Sequence, residues 1–260
     1  MKHKIITFGE LMLRLSPDNN ERFTQAHSYE AVYGGGEANT AVSLANFNVD
    51  TRYVTKLPNH TIGQSAVNSL RQYGVDVSRI VRGGDQIGIY FLEKKTSQRP
   101  TNVIYNRNGS AFALATKEDF DWNSIFEGAT WFHFSGITPA ISDNMAEITI
   151  EACKEAKKRN ITVSCDLNYR SKLWSSEKAN KVMSEVCKYV DICIANEDDA
   201  VGIFGMNASK SDKEKNAYIA EELTKMFPNF KMVASVWRTE TSITTFKLQS
   251  MIYTEGKAYY

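Results

Sequence analysis

This sequence carries almost no net charge. Its 31 lysines and arginines stand against 30 aspartates and glutamates, a net +1 at pH 7, so no global field draws in nucleic acid or an anionic membrane. No apolar stretch reaches the roughly 20 residues of a membrane-spanning helix. The start, Met1-Lys2-His3-Lys4-Ile5-Ile6, is basic but lacks the apolar region and cleavage site of a signal peptide. It reads as the first strand of a cytoplasmic protein. Cysteine pairing is missing too. Cys153, Cys165, Cys187 and Cys193 form no C-x-x-C, and their apolar surroundings predict buried, reduced thiols. His3, His27, His60 and His133 are scattered, with no H-E-x-x-H and no mixed Cys/His spacing, which removes the familiar zinc patterns. His133, inside Trp131-Phe132-His133-Phe134, reads as a strand histidine. Neither G-x-G-x-x-G nor G-x-x-x-x-G-K-[ST] occurs, so a nicotinamide fingerprint and a P-loop are both excluded. Repeats, low-complexity tracts and long linkers are absent as well.

What is present is alternation. Apolar runs at 5–8, 52–55, 130–134, 161–165, 192–195 and 232–236 read as strands. Helical spacing predicts helices at 37–46, 62–73, 142–159, 175–188, 197–204 and 213–227, with Gly74 stopping the second of them. This is the pattern of an α/β protein with a mostly parallel sheet covered by helices. Two segments, about 11–33 and 87–107, are strand-like with no helix between their strands. Within the second, 87–92 and 102–105 read as antiparallel neighbours. A small β-sheet built from both segments is expected to cover one end of the main sheet as a lid. A chain of 260 residues holds one large α/β domain or two small ones, and a single domain over 1–260 is the expectation.

Four polar constellations lie where strands and glycine runs end. Asp166-Leu167-Asn168-Tyr169-Arg170 follows the strand at 161–165, at the strand end where open α/β sheets bind ligands; a strand-end turn is the bland alternative. Gly34-Gly35-Gly36-Glu37-Ala38-Asn39 lets backbone approach a ligand ahead of a helix N-terminus, or is a structural turn. Tyr105-Asn106-Arg107, with Gly109-Ser110-Ala111 after it and Tyr90 on the neighbouring strand, sets an arginine among phenols, an arrangement suited to a carboxylate with hydroxyls nearby. An exposed strand face is the alternative. Asn196-Glu197-Asp198-Asp199 puts acids at a helix N-terminus, where they favour the dipole or hold Mg²⁺ through water.

In this order, an opening strand ending in Gly9-Glu10, then the glycine run, the lid strands, Asp166–Arg170 and Asn196–Asp199, the motifs resemble the ribokinase-like (PfkB) family of carbohydrate kinases. Tyr90, Tyr105-Asn106-Arg107, Phe134-Ser135-Gly136-Ile137-Thr138-Pro139-Ala140 and Leu173-Trp174 narrow the resemblance to the family's 2-keto-3-deoxygluconate kinases. It runs through the whole chain. It implies a three-layer sandwich with a β-lid, ATP and Mg²⁺ as cofactors, and phosphorylation of a sugar acid, 2-keto-3-deoxygluconate, to its 6-phosphate. A neutral-sugar kinase such as a fructokinase, or a non-catalytic sugar-acid binder, is the rival. Carried onto this sequence, Gly34, Gly35 and Asn39 contact the sugar, Tyr90, Tyr105 and Arg107 grip the keto-acid, and Arg170 reaches the substrate or the phosphates. Asn168, Asn196 and Arg238 serve the phosphates and nucleotide, and Asp166 and Asp199 the metal. The family's lid strands often meet a second subunit, so a homodimer through the lid is an expectation.

Two departures from the family pattern stand out. The family's N-x-x-E ends here in Asp199, one methylene shorter, and Trp237 stands where a glycine-containing turn is usual. The family's Gly-x-Gly-Asp motif, whose aspartate is the catalytic base, occurs nowhere in the 260 residues. The expectation drawn from this is that the C-terminal part of the fold is absent from this chain and that no residue of the chain is the base.

Overall fold

A computed structural model describes residues 3–96, 98–206, 212–242 and 245–260, apart from the side chains of 212 and 213. It has two compact units, Met1–Ala129 and Thr130–Tyr260. Both units mix strands and helices, and parallel pairing predominates in their main sheets.

The first unit runs β1 (Lys4–Phe8), β2 (Met12–Pro17), β3 (Tyr29–Gly34), α1 (Gly36–Asn46), β4 (Asp50–Val54), β5 (Lys56–Leu57), α2 (Thr61–Arg71), β6 (Val81–Arg82), β7 (Ile89–Glu93), β8 (Asn102–Asn106) and α3 (Trp122–Ile125). β1 and β4 pair in parallel from Lys4↔Asp50 to Phe8↔Val54. Helix α1 buries Ala38 and Ala41, one turn apart, in a core with Leu11, Tyr53, Leu57 and the α2 residues Ala66, Val67 and Leu70. Tyr53 is fully buried, and its hydroxyl donates to the Gly9 carbonyl at 2.8 Å, so the burial leaves no orphaned phenol. Phe8 packs edge-on against Phe112, Phe120 and Trp122 with centroids 5.2–5.4 Å apart, the favoured aromatic geometry. Gly74, at φ +80°, turns the chain away after α2, in the left-handed conformation that its place in the sequence implies.

Both segments predicted for the small sheet contribute to it. Its order is β3-β2-β7-β8, with β2 antiparallel to β3 and parallel to β7, and β7 antiparallel to β8.

The second unit runs β9 (Trp131–Ser135), α4 (Ile137–Ala140), α5 (Asp143–Lys158), β10 (Thr162–Asp166), α6 (Ser176–Cys187), β11 (Ile192–Ile194), α7 (Glu197–Phe204), α8 (Asp212–Met226), β12 (Met232–Glu240), β13 (Phe246–Thr254) and β14 (Lys257–Tyr259). β9, β10, β11 and β12 are parallel in that order, and β13 and β14 follow antiparallel. Val163, Ser164 and Cys165 are all buried, which is why β10 reads as a continuous run rather than an alternation. Ser142 and Ser175 cap α5 and α6, each hydroxyl accepting a backbone N–H at 3.2 Å. All four cysteines are free and buried. Burial pushes every one of their thiols up, the unreactive state that the sequence predicts. Burial likewise pushes His133 down to about 4. It stands in β9 with Nδ1 2.9 Å from the Ser164 hydroxyl, a neutral strand histidine.

β12 extends to Glu240, well beyond the predicted 232–236. Pairing with β13 runs from Val233↔Tyr253 to Glu240↔Phe246. Most of the extension is exposed, so no hydropathy pattern marks it; the hairpin ladder itself holds the strand.

Candidate functional site

In the first unit the predicted sugar-contacting residues converge. A Cβ built on Gly34 lies 3.8 Å from both Asn39 Oδ1 and the Tyr90 hydroxyl. Tyr90 is the register partner of Tyr105, with ring centroids 5.8 Å apart. Residues two apart on a strand share a face, and the Arg107 guanidinium lies 5.9 Å from the Tyr105 ring centroid. Gly35 is needed for space: a Cβ there would meet the Glu10 carbonyl oxygen at 2.2 Å, whereas one on Gly36 meets nothing within 4 Å. A groove of about 530 Å³ runs beside β3, α1 and α2, lined by Tyr33, Gly34, Asn39, Ser43, Asn46 and Tyr73 among others, and no charged side chain lines it.

Arg107 has a partner that the sequence pattern does not announce. Its Nε donates to Glu10 Oε2 at 2.8 Å, and Nη2 meets the same oxygen. The Ser110 hydroxyl donates to Glu10 Oε1 at 2.6 Å and accepts the Ala113 N–H at 3.1 Å. Only 6% of the Arg107 side chain and 2% of that of Glu10 are exposed. Burial pushes the Glu10 carboxyl up, with Arg107 and Ser110 pulling against it. Gly88 makes room, since a Cβ there would stand 2.5 Å from Glu10 Oε1. Arg107, expected on the carboxylate of the keto-acid, thus gives two of its nitrogens to Glu10. The sequence marks Gly9-Glu10 as the end of the opening strand but carries no sign of the pairing with Arg107.

In the second unit β10 ends at Asp166. Asn168 takes the left-handed conformation, φ 38°, with its Oδ1 buried and unpartnered. The Tyr169 N–H donates to Asp199 Oδ1 at 2.7 Å. Asp199 Oδ2 accepts the Asn196 N–H and Asn196 Oδ1 accepts the Asp199 N–H, both at 3.0 Å, a reciprocal capping box on α7. Burial pushes the Asp199 carboxyl up, while the Tyr169 and Asn196 N–H groups and Arg170 draw it down. Gly202 lets the Tyr169 ring pack on α7, where a Cβ would be 2.4 Å from a ring carbon.

Each Asp199 oxygen already accepts one backbone N–H, so a cation held there, directly or through water, would use the remaining lone-pair sites of the carboxylate. Among the described residues no group of three or more His, Cys, Asp and Glu could hold a metal ion. Mg²⁺ carried by phosphates asks for only one or two carboxylates; Asp166, the other carboxylate that the sequence predicts for it, ends β10.

A cleft of about 340 Å³ holds Asn196 and Arg238 together with Lys215, Trp237, Glu197 and Asp198. Arg238 pairs with Glu240 at 2.6 Å and lies 4.9 Å over the Phe246 ring. Lys215 contacts Glu197 at 2.8 Å. Nothing in the Lys213-Glu214-Lys215 run distinguishes Lys215 from a solvated helix face. Arg170 and Asn168 do not line this cleft; Arg170 is exposed and donates to the Tyr169 carbonyl at 3.0 Å.

The profile of the pfkB family carbohydrate kinases matches residues 2–229, and the chain belongs to that family. A 2-dehydro-3-deoxygalactonokinase of Haloferax volcanii is 38% identical over 201 residues, 76% of this chain and 62% of the relative. A 2-dehydro-3-deoxygluconokinase of Bacillus subtilis is 28% identical over 179 residues, 68% of this chain and 55% of the relative. The crystal structure of a 2-dehydro-3-deoxygluconokinase from Thermotoga maritima matches with a TM-score of 0.95 and 46% identity, over 100% of this chain and 78% of that one. The chain thus spans less than two thirds of the length of these two curated relatives. Among the described residues no helix is long and apolar enough to cross a membrane.

Proposed function

We propose that this chain carries the sugar-acid and nucleotide sites of an ATP-dependent kinase that phosphorylates 2-keto-3-deoxygluconate, the 2-dehydro-3-deoxygluconate of its relatives' names, to the 6-phosphate. One observation carries the reading: Gly34, Asn39, Tyr90, Tyr105 and Arg107, drawn from three separate segments of the sequence, converge in one unit. The amide and the phenols suit sugar hydroxyls, and the guanidinium suits a carboxylate. In the other unit, Asn196, Lys215 and Arg238 supply donors and cations for phosphate, beside the flat surface of Trp237. Arg170 and Asn168, at the end of β10, are further phosphate contacts. Mg²⁺, when bound, would neutralise the phosphate charge of ATP while the γ-phosphoryl passes to the sugar hydroxyl and ADP leaves. No base is assigned, because none of the 260 residues sits in a Gly-x-Gly-Asp.

The test is calorimetric titration of the 260-residue chain with 2-keto-3-deoxygluconate and with fructose, beside an ATP turnover assay. The acid binds in preference. Arg107→Ala weakens acid binding by roughly ten- to hundredfold, the size of a lost charged hydrogen bond, and leaves fructose little changed. Equal losses for both sugars remove the carboxylate assignment. The uncharged groove beside Gly34 and Asn39 favours a second reading, a neutral-sugar kinase such as a fructokinase, and the same titrations decide between the two.

A further inference from the structure

Buried ion pairs are weak devices for stability, since desolvation offsets most of their attraction. The Glu10–Arg107 pair is deeply buried, and much of the surrounding structure is shaped to hold Glu10. Ser110 fixes one carboxylate oxygen, Gly88 clears space for it, and Gly35 presses on the Glu10 backbone. Arg107 meets the other oxygen side-on, through Nε and Nη2. That leaves Nη1 and the second Nη2 proton as the only donors of Arg107 that can face a ligand.

We propose that Glu10 is a positioning residue for sugar-acid recognition: it locks the Arg107 guanidinium so that one edge meets the ligand carboxylate, and thereby sets the preference for an acid over a neutral sugar. The inference rests on the reading of Arg107 given above. A pair of opposite charges has no net charge, so it cannot select an acid by long-range attraction. Selection must come from aimed N–H groups, and aim is what a held guanidinium provides without further loss of side-chain freedom. The pair also separates two roles for Glu10 that a contact map would merge. If Glu10 only damps the charge of Arg107, removing its own charge bares a cation and tightens acid binding. If Glu10 aims Arg107, the same change weakens it.

The experiment titrates wild type, Glu10→Gln, Glu10→Asp and Arg107→Ala with 2-keto-3-deoxygluconate and with fructose, with thermal melts confirming the fold. Glu10→Gln is expected to lose roughly tenfold in acid affinity, with fructose within about twofold of wild type, and Glu10→Asp to fall between. A merely structural role lowers both sugars alike and overturns the proposal. So does unchanged or tightened acid binding in Glu10→Gln while Arg107→Ala still loses it; the Arg107 reading then stands and only the role of Glu10 falls. No selective loss in Arg107→Ala removes the reading of Arg107 and the proposal with it. If Glu10→Gln does not melt cooperatively, Ser110→Ala keeps both charges and releases one Glu10 oxygen. It is then expected to show the same selective loss at about threefold, and unchanged selectivity in it overturns the proposal.

Discussion

At the scale of single residues, the glycine run shows how differently three identical neighbours can be constrained. Gly35 is extended, φ −175°, a conformation open to any residue, so its constraint is the Glu10 carbonyl 2.2 Å from where a Cβ would stand. Backbone cannot swing aside as a side-chain tip can. Gly35→Ala is therefore expected to cost about 1–3 kcal/mol, the usual penalty of overpacking, read by urea unfolding. Gly36 opens α1 with empty space around it, so Gly36→Ala should be neutral or stabilising by up to about 1 kcal/mol. Gly34→Ala fits sterically but sets a methyl beside Asn39 Oδ1 and the Tyr90 hydroxyl. It should leave the unfolding midpoint unchanged and weaken sugar binding; a stability loss with intact binding would make Gly34 a structural glycine. The run itself is legible in the sequence as backbone approaching something. Which glycine faces backbone and which faces a ligand is not legible, because the deciding atoms belong to Glu10 and Tyr90, remote in sequence.

At the scale of elements, Asp191 joins the starts of three parallel strands. Its N–H donates to Val163 O, its carboxylate accepts the Val163 N–H at 2.9 Å, and Lys231 N–H donates to its carbonyl. Lys157 and Lys231 approach the same carboxylate at 2.7 and 3.1 Å. Burial pushes this carboxyl up, but the hydrogen bonds from Lys157, Val163 and Lys231 outweigh it and leave it below the ordinary aspartate value of 3.8. A carboxyl lowered by folding adds stability that is complete above its unfolded value and lost as pH falls through its folded value. Asp191→Asn should therefore cost about 1–3 kcal/mol at pH 7, and the gap to wild type should shrink by pH 3. A gap that does not change with pH would show that shape rather than charge is at work.

Helix α7 offers the matching case. Acids at its N-terminus are readable as dipole partners, and Asp199 does close a capping box. Its bond to the Tyr169 N–H is tertiary and leaves no local pattern. Asp199→Ala should cost about 1–2 kcal/mol through the lost cap, detectable as a lower thermal midpoint. The same contrast holds across the fold. Parallel strands announce themselves as apolar runs, and the small sheet by the lack of helices between its strands. The outer half of β12 does not, since only its partner strand defines it.

At the scale of the whole chain, the groups proposed for the sugar and those proposed for the nucleotide lie in different units. The α/β alternation and the family were readable because they rest on many weak signals that agree. The pairing of Glu10 with Arg107 and the place of Lys215 were not, because the first joins residues remote in sequence and a cleft lysine looks like any base on a helix. The division predicts separable binding. Asn39→Ala should weaken 2-keto-3-deoxygluconate by roughly tenfold, the loss of a good hydrogen bond, and leave ATP affinity unchanged. Lys215→Ala and Arg238→Ala should do the reverse. Arg238, half exposed beside Glu240, should matter less as salt rises, because exposed charges are screened over about 10 Å at 0.1 M. Lys215, whose side chain is only 17% exposed, should keep more of its effect. Titrating ATP at two salt concentrations reads both. A fall in sugar affinity from Lys215→Ala, with ATP unaffected, would move the sugar to this cleft and undo the assignment of both sites.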